Sequence, residues 1–259
     1  MQITKNIEII DLCLFLTKSK TLIIPDVHIG YEEALNKQGI LIPRTQFVEI
    51  MKNIEKIIKQ IKKKFKRINK IVIMGDLKHE FGIISETEWR QTLRFLDFLI
   101  KYCQNITLIR GNHDKILGPI AKKRELNIEE HVIIDDVYLT HGHQLPKSKL
   151  KAEKQLLKTI KTIIIGHEHA AITLRDGPRV EKFKCFLKGK WKPEKKLLTK
   201  SFDLIVMPSF NPIIEGTDVL KEALLSPFLK KANIKTFETF IVGDKVYNFG
   251  KISRILKKK

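Results

Sequence analysis

Cysteine is scarce in this chain. Cys13, Cys103 and Cys185 are an odd, scattered set with no CxxC spacing. They offer no disulfide framework and read as reduced, partly buried thiols in a cytoplasm. Long apolar runs are missing as well. No stretch of about 18 or more uncharged apolar residues occurs, so no membrane span is expected. The N-terminus has no basic region followed by an apolar run and a small-residue cleavage site, so a secreted form is not expected and the cytoplasm is the expected location. Acidic residues are few: 29 Asp and Glu stand against 49 Lys and Arg, a net charge of +20. A surplus of that size attracts polyanions such as DNA or RNA, although Lys- and Ile-rich, Cys-poor chains are also typical of heat-adapted proteins. No internal repeat is visible.

What is present is a hydrophobic fraction of 43% over 259 residues. That suffices for a sizeable core, and the chain is read as a single domain over 1–259. Residues 7–17 and 21–25 form two apolar runs that suggest a β-hairpin. Residues 46–65 keep helical spacing at Phe47, Ile50, Met51, Ile54, Ile58, Ile61 and Phe65. Ser85 with Glu88 is a capping box before a helix over 86–103, with Trp89, Leu93, Leu96, Ile100 and Cys103 expected inward. Further helices are expected at 115–124, 149–160 and 218–231. Strands are expected at 70–74, 106–109, 137–140, 162–165, 171–187 and 202–208, with a closing hairpin over 236–247. The Lys-rich stretch 187–200 reads as an exposed loop. Alternating strands and helices imply an α/β protein with packed sheets and helices outside. The second half reads as a more antiparallel sheet against the first.

Seven of the eight histidines fall in five short clusters: Asp26-Val27-His28, Gly75-Asp76-Leu77-Lys78-His79, Gly111-Asn112-His113-Asp114, His141-Gly142-His143 and Gly166-His167-Glu168-His169. Only His131 stands apart, and it reads as structural. Each cluster follows a buried-looking strand, where open α/β sheets place their sites. Imidazole nitrogen, carboxylate and amide oxygen are ligands for divalent metals. Asp26 and His28 are two apart on an extended segment and can face one ion, and Asp76 can bridge two. Two divalent ions against Asp26 and Asp76 leave about two positive charges, enough for a hydroxide and a phosphate oxyanion. His113 is placed to protonate a leaving oxygen, with Asp114 or another carboxylate favouring its imidazolium form. Lys78 and His79 are candidates to shape a phosphate pocket, and His143 to support the ligands or touch phosphate. The basic runs Lys62 to Arg67, Lys188 to Lys200 and Lys257 to Lys259 read as solvated faces. Trp191 among lysines is a candidate to stack on a base.

The order D-x-H, G-D, G-N-H-D, H-G-H, G-H-x-H at strand ends resembles the calcineurin-like metallophosphoesterase superfamily. The resemblance implies a β-sandwich of two mixed sheets flanked by helices. It also implies two divalent metal ions, Mn²⁺ first with Ni²⁺, Fe²⁺ or Zn²⁺ as alternatives, and phosphoester hydrolysis by a metal-bridging hydroxide. It assigns Asp26, His28, Asp76 and His169 to one ion and Asp76, Asn112, His141 and His167 to the other. Gly75 to Phe81, with Pro208-Ser209-Phe210-Asn211-Pro212 and Gly216-Thr217-Asp218, resembles archaeal phosphoesterases related to SbcD nucleases and the bacterial ligase-associated PdeM phosphodiesterases. The chain is short of the extra capping and DNA-binding domain of full SbcD-type nucleases. The resemblance and the basic surface together imply hydrolysis of a phosphodiester in nucleic acid (DNA or RNA) or nucleotides, with a homodimer as a candidate assembly. A phosphomonoesterase, a non-catalytic metal-bound scaffold and a nucleic-acid-binding accessory are the rivals.

Overall fold

The computed structural model describes residues 1–82, 84–146, 158–193 and 200–256. It divides into two units, Met1–Glu130 with Ser209–Ile214, and His131–Pro208 with Glu215–Lys259. The expected helix over 149–160 falls largely outside the described residues.

In the first unit, seven strands follow their sequence order across one sheet. They are β1 (Gln2–Thr4), β2 (Ile7–Ile10), β3 (Cys13–Leu16), β4 (Thr21–Ile24), β5 (Lys70–Ile73), β6 (Ile106–Ile109) and β7 (Asn127–Glu129). The first four pair antiparallel and β4 to β7 pair parallel. The expected N-terminal hairpin is thus a meander, because Asp11 takes a left-handed turn (φ 55°) that splits the first apolar run in two. β3, β4 and β6 are buried at every position, as Ile- and Leu-rich strands covered on both faces must be. The short helix α1 (Tyr31–Lys37) follows β4. The helix α2 (Gln46–Phe65) lies against β2. It buries Phe47, Ile50, Ile54, Ile57, Ile58 and Ile61 and turns its lysines outward.

The helix α3 (Glu86–Ile100) starts at the expected cap, where Glu88 N donates to Ser85 Oγ at 3.1 Å. Its buried face differs from the expected one. Glu88, Thr92, Phe95, Leu96 and Leu99 are buried, while Trp89, Leu93 and Ile100 are only partly buried. Two polar residues point inward because each has a partner there. Glu88 Oε1 accepts from backbone N–H groups, and Thr92 Oγ1 donates to the Glu88 carbonyl at 2.7 Å. The helix α4 (Gly118–Lys122) is shorter than expected.

The second unit holds a nine-stranded sheet among its described residues. Its strands are β8 (His131–Ile134), β9 (Val137–Thr140), β10 (Thr162–Ile165), β11 (Ala170–Asp176), β12 (Arg179–Trp191), β13 (Phe202–Val206), β14 (Thr217–Asp218), β15 (Glu238–Val242) and β16 (Val246–Lys251). β9, β10 and β13 are parallel, and the β11–β12 and β15–β16 pairs are antiparallel. The expected strand over 171–187 is a hairpin turning at Gly177 (φ 55°). Instead of a helix over 218–231, the chain forms β14, turns, and a single short helix α5 (Pro227–Lys230) that starts at the Ser226 cap. A last helix, α6, covers Ile252–Leu256. Strand β12 also runs to Trp191 where an exposed loop was expected. Trp191 is only 8% exposed and packs its ring 4.9 Å from Phe228. It is core rather than a platform for a base, because Phe202 on the paired strand and Phe228 on α5 pack around it.

The architecture is mixed α/β, with two mixed sheets flanked by helices. No helix among the described residues is long and apolar enough to cross a membrane. All three thiols are buried, and burial raises the pKa of each. Thiolate is the reactive form. A thiol reagent at neutral pH is therefore expected to leave Cys13 and Cys185 unlabelled in the folded protein and to label all three after denaturation. Rapid labelling of Cys185 without denaturant would contradict this packing.

Candidate metal centre

Register determines where the clusters lie. In the first unit Ile24 pairs with Ile73, and Ile73 with Leu108. The C-terminal ends of β4, β5 and β6 are therefore level, and the next residues of each strand leave the same edge of the sheet. That edge carries Asp26, Asp76 and Asn112. In the second unit Thr140 pairs with Ile165 and Ile165 with Val206. His141 and His167 consequently leave one edge together.

Asp76 is the hub of the first set. Its carbonyl accepts from Val27 N at 3.2 Å and His28 N at 2.9 Å. Its Oδ1 accepts from His113 N at 2.8 Å. Its Oδ2 lies 3.7 Å from His28 Nε2 and 3.9 Å from His113 Nε2. Asp26, His28 and Asp76 are at most 2% exposed. Ligand atoms of His28, His79 and His113 lie within 4.8 Å of one another, and those of Asp26 and His28 are equally near. Asn112 is half-buried on the turn between Gly111 and His113. In the second set the rings of His141 and His167 are 5.0 Å apart, and His143 lies 5.2 Å from His141. His169 stands just before β11, and its carbonyl accepts from Thr217 N at 3.0 Å. His131 stacks on Tyr138 at 4.9 Å.

The backbone at the sites is strained. His28 (φ 47°), Asp76 (φ 46°), His167 (φ 62°) and His169 (φ 50°) are all left-handed. Such residues persist only where surrounding contacts over-determine them, and they concentrate at functional sites. Those contacts involve residues that pattern reasoning overlooked. Asn211 Nδ2 donates to the carbonyls of Val27 at 2.9 Å and His28 at 3.1 Å. Gln46 Nε2 donates to the His28 carbonyl at 3.1 Å, and Ser209 Oγ to that of Asp26 at 3.2 Å. Glu88 Oε1 accepts from His79 N at 2.8 Å and Glu80 N at 3.0 Å. In the second unit Glu168 Oε2 accepts from Ser226 N at 2.8 Å, and Ser226 Oγ donates to the Gly142 carbonyl at 2.7 Å. That clamp ties the His167–His169 segment to the His141–His143 segment. The sequence traces of these supports were the Ser85/Glu88 capping box, the Pro208–Pro212 resemblance and the place of Glu168 between two histidines.

Two expectations change in detail. Lys78 is fully buried, with its ammonium on the carbonyls of Glu80 and His113. It holds the loop through those two carbonyls. Asp114 is buried too, and its Oδ2 accepts from Gly111 N at 3.0 Å. It closes the Gly111–Asp114 turn from within.

The donors suit divalent metal ions. Burying Asp26 and Asp76 beside imidazoles is costly without a compensating cation, and nitrogen with carboxylate oxygen accommodates Mn, Fe, Ni or Zn. Imidazoles and carboxylates set at the ends of parallel strands mark a metal-dependent phosphoesterase. The chain belongs to the calcineurin-like phosphoesterase family, whose model matches residues 19–237. Among solved structures, the nuclease MPE of Pseudomonas putida shares the fold with a TM-score of 0.60 at 15% identity, over 93% of both chains. The phosphoesterase YfcE of E. coli is 12% identical, with a TM-score of 0.37, over 89% of this chain and 97% of its own. No curated protein matches the chain.

Gly111 has no room for a side chain. A Cβ there would lie 2.0 Å from Asp76 Oδ1 and 2.3 Å from Asp76 N. Gly111→Ala is expected to displace Asp76 and to lower bound metal per chain, measured by elemental analysis after dialysis. Full metal content in this variant would contradict the role given to Asp76. Burial raises the pKa of the Glu88 carboxyl from its ordinary 4.5. Folding thus disfavours its ionised form, a penalty absent below 4.5 that grows as pH rises toward and through the folded-state pKa. Glu88→Gln, which keeps the accepting oxygen, is expected to lose less stability than the wild type between pH 4.5 and 7 in denaturant titrations.

Proposed function

We propose that the protein is a binuclear, divalent-metal-dependent phosphodiesterase acting on nucleic acid or nucleotides. The observation that carries this reading is the Asp76 hub: one buried carboxylate whose oxygens face two imidazoles and a backbone N–H at a strained strand end. The ligands assigned are Asp26, His28, Asp76 and His169 for one ion, and Asp76, Asn112, His141 and His167 for the other, with Mn²⁺ as the metal. Such ions, when bound, supply Lewis-acid activation of water and stabilisation of phosphoryl charge.

The protein's own part is to orient and to move a proton. His113 is held at both ends, with its backbone N–H on Asp76 Oδ1 and its Nδ1 on the His79 carbonyl. A carbonyl only accepts, so Nδ1 carries a proton there. Donation to the leaving oxygen therefore comes from Nε2 of the doubly protonated ring. Asp114 supports this by closing the turn that carries His113, His79 by anchoring its Nδ1–H, and Lys78 by bonding its carbonyl. His143 lies beside His141 and His167 and is assigned to phosphate contact or ligand support. The charge of +20 favours a polyanion, and the fold's match in P. putida is described as a nuclease. The same reading makes the whole chain one functional domain of a cytoplasmic enzyme, monomeric or homodimeric.

The test is turnover of metal-stripped protein after Mn²⁺ is restored, on bis-p-nitrophenyl phosphate, p-nitrophenyl phosphate and labelled single-stranded DNA and RNA. Diester cleavage that needs Mn²⁺ and is lost in Asp76→Asn is expected. His113→Ala is expected to lower turnover by about 10²- to 10⁴-fold with metal content unchanged. Cleavage of the monoester alone would replace this reading with a phosphomonoesterase, and no cleavage with any metal would replace it with a scaffold.

A further inference from the structure

We propose that the outer face of Phe81 is a stacking subsite for a nucleobase carried on the leaving side of the substrate. This rests on the diesterase reading above and on the role of His113 in it.

Phe81 is 51% exposed, yet its ring centroid lies only 3.7 Å from that of His113, tilted by 32°. One face of the ring covers His113 and the other is open. His79 continues the array, with its ring 5.1 Å from His113 at 29°, and Tyr31 lies 4.8 Å from His79. An isolated exposed phenylalanine is ordinary. This one is held in place from both ends of the preceding residue. Glu80 N donates to Glu88, and the Glu80 carbonyl accepts from the buried Lys78 ammonium, which also bonds the His113 carbonyl. Two buried ionisable side chains thus set the loop that presents a half-exposed ring to the proton donor. Core packing does not explain this, since Phe81 is half exposed.

The position limits what the ring touches. If His113 Nε2 delivers a proton to the leaving oxygen, the group attached to that oxygen is carried alongside the neighbouring Phe81 ring. A flat apolar face suits a planar heteroaromatic group, and base–aromatic stacking tolerates any base. Phe81 is then a binding residue for the leaving nucleoside. It requires no sequence of bases, only that one be present.

The test reads equilibrium binding, independently of turnover. Calorimetry of the full-length, Mn²⁺-loaded protein would use a phosphorothioate-linked thymidine dinucleotide and its two counterparts lacking either the 5′ or the 3′ base. In the wild type, loss of one of the two bases is expected to weaken binding about tenfold. Phe81→Leu should bind the intact dinucleotide about tenfold more weakly and be indifferent to that base, while Phe81→Tyr and Phe81→Trp should restore the preference. The proposal is overturned if Phe81→Leu keeps wild-type affinity and base preference. It is also overturned if the wild type shows no base preference at all, an outcome that does not depend on how any variant folds. Base-dependent binding without hydrolysis would keep the subsite and remove the diesterase reading, whereas hydrolysis without base-dependent binding would do the reverse.

Discussion

The burial of Asp76 is the constraint on which the first unit's site depends. A carboxylate with 1% exposure must be surrounded by groups that compensate its charge. Each nearby element is shaped to this end. The turn after β6 comes close enough to give its His113 N–H, and only because residue 111 lacks a Cβ. The segment after β4 bends back so that Val27 and His28 donate to the Asp76 carbonyl, which places the His28 ring beside the carboxylate. Three strand ends are thereby joined through one residue. The parallel register that makes those ends level is the precondition.

Such closeness requires backbone conformations that side-chain-bearing residues avoid. Left-handed φ at His28, Asp76, His167 and His169 costs of order 1–3 kcal/mol each. The compensation is a set of side-chain-to-backbone hydrogen bonds behind the candidate ligands rather than more charge among them. Asn211, Gln46 and Ser209 occupy the carbonyls of the Asp26–His28 segment, and Glu88 and Lys78 hold the 79–80 loop. Glu168 and Ser226 do the equivalent in the second unit. Neutral amides and backbone groups give rigidity without adding negative charge beside the candidate ligands. Glu88 and Glu168 add carboxylates, but each is directed at N–H groups, and burial raises the pKa of both.

The fold and most candidate ligands were legible in the sequence, for local reasons. A short Ile- and Val-rich run followed by Gly-Asp, Gly-Asn or Gly-His is a buried strand ending in a turn. Repetition of that pattern with helices between is an α/β sheet. The direction of α3 was not legible. Its apolar pattern alone turns Trp89 and Leu93 inward, whereas the structure buries Glu88 and Thr92, because a buried partner outweighs periodicity. The stretch 218–231 contains apolar residues at helical spacing. It folds as a strand, turns and one short helix, because Thr217 and Val219 pair with the backbone of His169 and Ala171 and hold its start in a strand.

The sequence alone determined which residue types lie beyond which strands, since that depends on neighbours in the chain. Tertiary structure decided what those residues do. Trp191 became core, Lys78 became a loop anchor, and Phe81 became a ring set against His113. Each of these outcomes depends on contacts with segments dozens of residues away or with a helix face that local pattern does not specify. The energy of a buried polar group depends on whether a partner meets it, and partners are brought together only by the fold.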